Sequence, residues 1–157
     1  DGGGTKWLAE DRPVTAAIPQ ITPTVFQPNP TPALRRTADE VAASLGGDGV
    51  LIDVRSPGEF AGEASRAARA GHIPGALNLP RKTLVGEDGT LGDLDHLRAQ
   101  FAEAGITADT PDVVVYCNSG VSASYGLLAL RLAGVRDVAV YDGSWKEWGN
   151  DDARPIE

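Results

Sequence analysis

"VVVYCNSGVSASYGLLALRLAG", residues 113–134, decides how the chain is read. Four β-favouring apolar residues run straight into the only cysteine, small residues follow, and a mostly apolar stretch then reaches Gly134. An apolar run of strand length with no polar alternation has no solvent face, so it belongs in a sheet covered on both sides. The stretch from about Val121 to Ala133 reads as a helix, and Gly134 ends it. Strand, small-residue turn and helix in that order are the unit of an α/β fold.

The same unit recurs on either side. "VLIDV", residues 50–54, and "VAVYDG", residues 138–143, read as further buried strands, and residues 76–79 as a short one. Between them lie helix signals. Thr37 and Glu40 form a capping box ahead of Val41, Ala42 and Leu45, with Gly46 and Gly47 to end that helix. Ser56, Pro57 and Glu59 repeat the signature for a short helix reaching about Gly62. Leu94, Leu97, Phe101 and Ala104 are spaced as the buried stripe of an amphipathic helix. The predicted class is α/β, with a parallel sheet and helices on both faces.

Upstream of this pattern the chain changes character. "PVTAAIPQITPTVFQPNPTPALRR", residues 13–36, carries six of the 11 prolines and no helical period, so residues 14–34 are expected to be an extended linker. The two ends of the chain also resemble each other. "DGGGTKWLAEDRP", residues 1–13, matches "DGSWKEWGNDDARP", residues 142–155, with one gap. Asp-Gly, a tryptophan at matched distance (Trp7, Trp148) and a trailing Arg-Pro make residues 1–13 the expected tail of a preceding domain of the same kind. Residues 35–157 are then the second domain.

Composition narrows the function. With 157 residues and 41% hydrophobic content the chain can bury a sizeable core. One cysteine makes no internal disulfide and no histidine or cysteine cluster has metal spacing, so neither crosslink nor metal is expected, and a reducing, cytoplasmic setting is. No apolar run approaches a membrane span. A net charge of −8 repels nucleic-acid backbones and anionic membranes alike. An anionic substrate would have to be drawn in by local donors.

Cys117 stands at a strand's carboxyl end, where open parallel sheets bind ligands and helix N-termini point free N–H groups. Asn118, Ser119, Gly120, Val121 and Ser122 include a glycine and small side chains, so their amides are expected to converge on the sulfur as an anion cradle. A thiol so placed is expected to have a depressed pKa and to remain partly exposed, as a nucleophile needs. Elsewhere a free cysteine is most often a small core residue. Tyrosine-phosphatase chemistry would need arginine at 123, which is Ala123, and thioredoxin chemistry would need a second cysteine. A cysteine hydrolase would need a base, for which only His72 and His96 are available, and the sequence places neither. Transfer of a single sulfur atom, carried as a persulfide, asks for nothing more than the thiolate and its cradle.

"LIDVRSPGEFAGE", "GHIPGALNLP", "VVVYCNSGVSA" and "YDGSWKEWG" follow one another over residues 50–149, and in these pieces the chain closely resembles the rhodanese family of sulfurtransferases. The last piece is similar to the closing signature of two-domain thiosulfate and 3-mercaptopyruvate sulfurtransferases, whose second domain carries the active cysteine. The resemblance implies a five-stranded parallel sheet, Cys117 as persulfide carrier and residues 118–122 as its cradle. It implies a small anionic sulfur donor, and cyanide, a thiol or a protein as acceptor, with no cofactor. A sulfur relay and a non-catalytic interaction module are the alternatives.

The resemblance also raises questions about individual residues. The neutral Asn118 and Ser119 are similar to the loop of mercaptopyruvate enzymes, yet Glu59 stands where those commonly carry an arginine, and it would repel an anion if it pointed inward. Its capping-box role is the simpler reading. Arg66 and Arg69 are candidates for the missing positive charge. Asp53 and Arg55 match a strand-end pair of the family, expected to pair with each other or to orient the loop, a structural role in either case. Ser119 aligns with a serine proposed to relay protons, with Asp53 and His72 as partners. Trp145 and Trp148 are expected to pack the closing turn, with Trp145 a candidate wall of the pocket.

Overall fold

The computed structural model describes residues 1–157. Five strands, β1 (Arg35–Arg36), β2 (Val50–Asp53), β3 (Leu77–Asn78), β4 (Val113–Tyr116) and β5 (Val138–Tyr141), form one sheet in the order β1-β5-β4-β2-β3. Every pairing is parallel. The predicted α/β class and its five-stranded parallel sheet are therefore what the chain adopts.

The apolar runs are explained by what lies on each face. Val113 and Val115 of the central strand, and Cys117 just after it, point into one cluster with Ile52, Leu97, Phe101 and Leu130, while Val114 and Tyr116 point into another with Val41, Tyr141, Trp145 and Trp148. Alternate residues thus serve opposite cores, which is why no polar position interrupts them. Each fully buried valine contributes on the order of 1.5–3 kcal/mol.

Helix α1 is Gly3–Ala9, α2 Ala38–Ser44, α3 Pro57–Phe60, α4 Leu94–Glu103, α5 Val121–Ala133 and α6 Ser144–Trp148. Both predicted capping boxes are present: the Thr37 hydroxyl accepts from Glu40 N, and the Ser56 hydroxyl from Glu59 N. Asp93 caps α4 through the amides of Asp95 and His96. Gly126 lets α5 lie close on the sheet, since a Cβ there would come within 3.0 Å of Val115 Cγ1.

Three elements depart from the expectation. The two-residue strand β1 follows the proline-rich stretch, aligned by Val140 and Tyr141 of β5. Residues 144–148, read as a closing turn, are a helix whose Trp145 and Trp148 are fully buried. Residues 3–9 are helical too, and dock through Lys6 Nζ to Asp88 at 3.1 Å and Leu91 N to Asp1 Oδ2 at 2.7 Å. The expected linker, residues 14–34, is exposed throughout apart from half-buried Leu34 and carries only a 3-10 turn at Pro32–Leu34.

Candidate active site

Cys117 follows β4 directly and leads, through Asn118, Ser119 and Gly120, into α5. Gly120 caps the helix with φ +81°, and a Cβ there would stand 3.0 Å from Asp142 O, so the turn requires glycine. The loop is held from behind by α6. Trp145 N donates to Cys117 O at 2.9 Å, and Lys146 N to Asn118 O at 3.0 Å. A trans peptide points its N–H opposite to its C=O. The amides of Asn118 and Ser119 are thereby turned away from α6.

Ser144 completes the support. Its Oγ accepts from Cys117 N and from Gly120 N, both at 3.1 Å, donates to Tyr141 O at 2.8 Å, and lies 4.0 Å from Cys117 Sγ. It is fully buried and sits at φ +55°, a left-handed conformation that a non-glycine residue holds at some strain. Two loop amides are thus occupied. Those of Asn118, Ser119, Val121, Ser122 and Ala123 donate to no group of the chain. The last three belong to the first turn of α5, whose free N–H groups point back along the axis toward the loop.

The loop faces a cleft of about 510 Å³. Cys117, Asn118, Ser119, Val121 and Ser122 line one side of it, and Arg55, Glu59, Arg66, Arg81 and Lys82 are its charged lining residues. Cys117 is only 4% exposed, less than the partly exposed thiol the sequence predicts. The reason is that it directly follows the central strand and keeps the strand's alternation, packing into the same core cluster as Val113 and Val115. The thiol lies at the floor of the cleft rather than at its mouth.

Glu59 holds its capping-box position and also reaches the loop after Cys117. One oxygen closes the capping box with Ser56, and the other accepts from Asn118 Nδ2 at 2.9 Å, with Arg66 Nε 3.5 Å away. Burial works against its ionisation, but the hydrogen bonds from Asn118 and Ser56 and the charge of Arg66 outweigh it and hold the carboxyl below its usual range.

Asp53, Arg69, His72 and Trp145 stand apart from the cleft lining. Asp53 is fully buried and grips Arg55, whose Nε reaches both carboxylate oxygens at 3.0 and 2.9 Å, while Nη2 also bonds Gly71 O at 2.8 Å. The Arg55 guanidinium lies 4.5 Å from the ring centre of Trp145. Trp145 is fully buried and its Nε1 donates to Ser65 Oγ and Arg69 O, so it anchors the 65–69 loop instead of walling the cleft. Arg69 spends its guanidinium on the carbonyls of Trp148, Gly149, Asp151 and Arg154. His72 stacks on Phe60 with 3.6 Å between ring centres and bonds Phe60 O through Nδ1. No hydrogen bond joins Ser119 to Asp53 or His72, and of these three only Ser119 lines the cleft.

Ser144, Arg81 and Lys82 were not found by reading the sequence. Ser144 lies just past the end of β5, the neighbour of β4, and residues at adjacent strand ends are the positional signal that points to it. Arg81 and Lys82 carry no local signal; their turn reaches the cleft because Arg81 N donates to Val54 O at 3.0 Å beyond the end of β2.

The sequence pattern of the rhodanese-like domain matches residues 37–151. The chain is 40% identical over 170 residues to the sulfur carrier protein TtuD of Thermus thermophilus, covering 99% of this chain and 59% of that protein. It is 35% identical over 150 residues to the thiosulfate sulfurtransferase of Gallus gallus, covering 94% of this chain and 52% of that one. Among solved structures it superposes with a TM-score of 0.88 on the anaerobic ergothioneine biosynthesis enzyme of Chlorobium limicola in complex with trimethyl histidine, at 29% identity, over 99% of this chain and 40% of that one. The chain therefore spans little more than half the length of the curated relatives it matches. No helix is long and apolar enough to cross a membrane.

Proposed function

The chain belongs to the rhodanese-like family, and from that membership we propose that it moves sulfane sulfur from a small anionic donor, thiosulfate or 3-mercaptopyruvate, through a persulfide on Cys117. The observation that carries this reading is the set of unoccupied amides at Asn118, Ser119, Val121, Ser122 and Ala123 beside a thiol that opens onto a cleft. Such amides stabilise a thiolate, and they stabilise the terminal sulfur of a persulfide in the same way. No metal or organic cofactor takes part.

With thiosulfate, the Cys117 thiolate attacks the outer sulfur. A Cys–S–S bond forms while the bond to the sulfonate sulfur breaks, and sulfite leaves with that electron pair. With 3-mercaptopyruvate the C–S bond breaks instead and pyruvate leaves as its enolate. Cyanide, a thiolate or a protein nucleophile then takes the outer sulfur and returns the Cys117 thiolate. Loading a partner protein as a sulfur relay is the second reading, favoured by the similarity to a protein named a sulfur carrier. A lone reactive thiol suits a reducing, cytoplasmic setting.

Residues 1–13 are, in the same proposal, the closing segment of a preceding domain of this fold, joined by residues 14–34 to the catalytic domain, residues 35–157. Supporting this, Trp7 Nε1 donates to Pro13 O at 3.0 Å as Trp148 Nε1 does to Pro155 O at 2.8 Å. Arg12 lies 5.3 Å from the ring centre of Trp7, as Arg154 lies 5.5 Å from that of Trp148.

The test is intact mass after incubation with thiosulfate or 3-mercaptopyruvate and removal of excess donor. The wild-type chain gains one sulfur and Cys117→Ala gains none; gain with one donor alone names the donor. Equal gain by the alanine variant removes Cys117 from the mechanism, and no gain from either donor favours a non-catalytic module.

A further inference from the structure

Of the 14 basic residues, only Arg81, Lys82, Arg131, Arg136 and Lys146 form no ion pair. Two of these five are adjacent, and both line the cleft that holds Cys117. Their turn, Arg81–Leu84, is pinned where Arg81 N meets Val54 O, and the Arg81 guanidinium lies 5.9 Å from the ring centre of Tyr125 on α5. Arg81 is thereby braced between the end of β2 and the helix that the Cys117 loop opens.

The other charges of the cleft are already spoken for. Arg66 faces Glu59, and Arg55 is neutralised by Asp53, although its buried Nη1 has no partner. Both Glu59 oxygens are taken by Ser56 and Asn118. What remains is a wall of two free cations in a chain of net charge −8. An anion repelled by the protein as a whole meets unpaired positive charge here, across the cleft from the free amides of the loop.

We propose that Arg81 and Lys82 are the donor-recognition residues of the site, holding the sulfonate or carboxylate end of the sulfur donor while its sulfur meets Cys117. The inference rests on Cys117 as the reacting atom. It explains how a loop without a cation, Asn118 to Ser122, serves an anionic donor: the charge comes from the facing wall, on an element distant in sequence. Exposed cations at the rim act chiefly on encounter, so their effect falls as salt screens them.

The test compares alkylation of Cys117 by anionic iodoacetate and neutral iodoacetamide, followed by intact mass, in wild type, Arg81→Gln/Lys82→Gln and Arg131→Gln/Arg136→Gln. The last variant removes the same charge from two other unpaired arginines, neither of which lines the cleft. The expected result is a fall of about tenfold in the iodoacetate rate of the first variant at low salt, shrinking at high salt, with the iodoacetamide rate within about twofold of wild type. The control variant keeps the wild-type rates, and persulfide loading from thiosulfate falls in parallel with iodoacetate. An unchanged iodoacetate rate overturns the proposal. So does an equal fall with both reagents, because the pair would then act on the thiol and not on the anion. If wild type shows the preference for iodoacetate and loses it in the first variant, yet takes no sulfur from any donor, the sulfurtransferase reading fails while the anion wall stands.

Discussion

Residues 1–7 and 142–148 run in register, Asp1-Gly2-Gly3 against Asp142-Gly143-Ser144, and Trp7 against Trp148. Both open a helix at the third position, with φ +62° at Gly3 and +55° at Ser144, and both close a tryptophan onto the carbonyl of a trailing proline under an arginine. Their surroundings differ. Trp148 is fully buried, while Trp7 is 45% exposed and its neighbour Leu8 60%. The same local sequence therefore makes the same local structure with or without a core beneath it, and only the core decides what that structure contributes to stability. The third position differs for another reason: glycine adopts a positive φ freely, whereas Ser144 accepts the strain in exchange for a hydroxyl that gathers the amides of Cys117 and Gly120.

The widest gap between the two copies should appear at the tryptophans. Trp148→Ala empties a fully enclosed site shared with Val41 and Tyr141, and should destabilise the chain by about 3–5 kcal/mol in urea unfolding. A loss under about 1 kcal/mol would mean that the closing helix is not part of the core. Next comes the third position. Ser144→Ala keeps the strained backbone and strands two buried amides, for about 1–3 kcal/mol, together with slower sulfur uptake by Cys117. Ser144→Gly should lose the same uptake but less stability, since glycine releases the strain. If alanine proves the milder of the two in stability, strain at this residue is not what separates the copies.

Much of this was legible in advance because the signals were local. Capping boxes at Thr37 and Ser56 and the apolar runs of β2, β4 and β5 need only neighbours in sequence to be recognised. Strand β1 was not legible, since two arginines become a strand only through pairing with β5. The site divides in the same way. Cys117 and its loop follow from a strand running into small residues and a helix. Ser144, Arg81 and Lys82 reach the loop and its cleft from other elements, so no spacing announces them. Arg69, His72 and Trp145 carry chemistry-bearing groups, but main-chain carbonyls and the Ser65 hydroxyl claim them first, and the pattern of residue types does not distinguish the two uses.

The smallest effect is the most informative about the other end of the chain. In this chain Trp7→Ala removes a ring that water already reaches, and stability should move by no more than about 0.5 kcal/mol. Val14, Ile18, Ile21, Val25 and Phe26, all at least 71% exposed, extend the same uncovered apolar surface along the linker. If a preceding domain of this fold covers Trp7 as the present one covers Trp148, the same substitution in the longer chain should cost about 3–5 kcal/mol, and acrylamide should quench Trp7 there no better than the buried tryptophans. Equal tolerance of Trp7→Ala in both chains would leave the mirrored clasp as a local turn with no domain behind it. A large loss already in the shorter chain would mean that α1, through Lys6 and Asp1, belongs to the fold it now only touches.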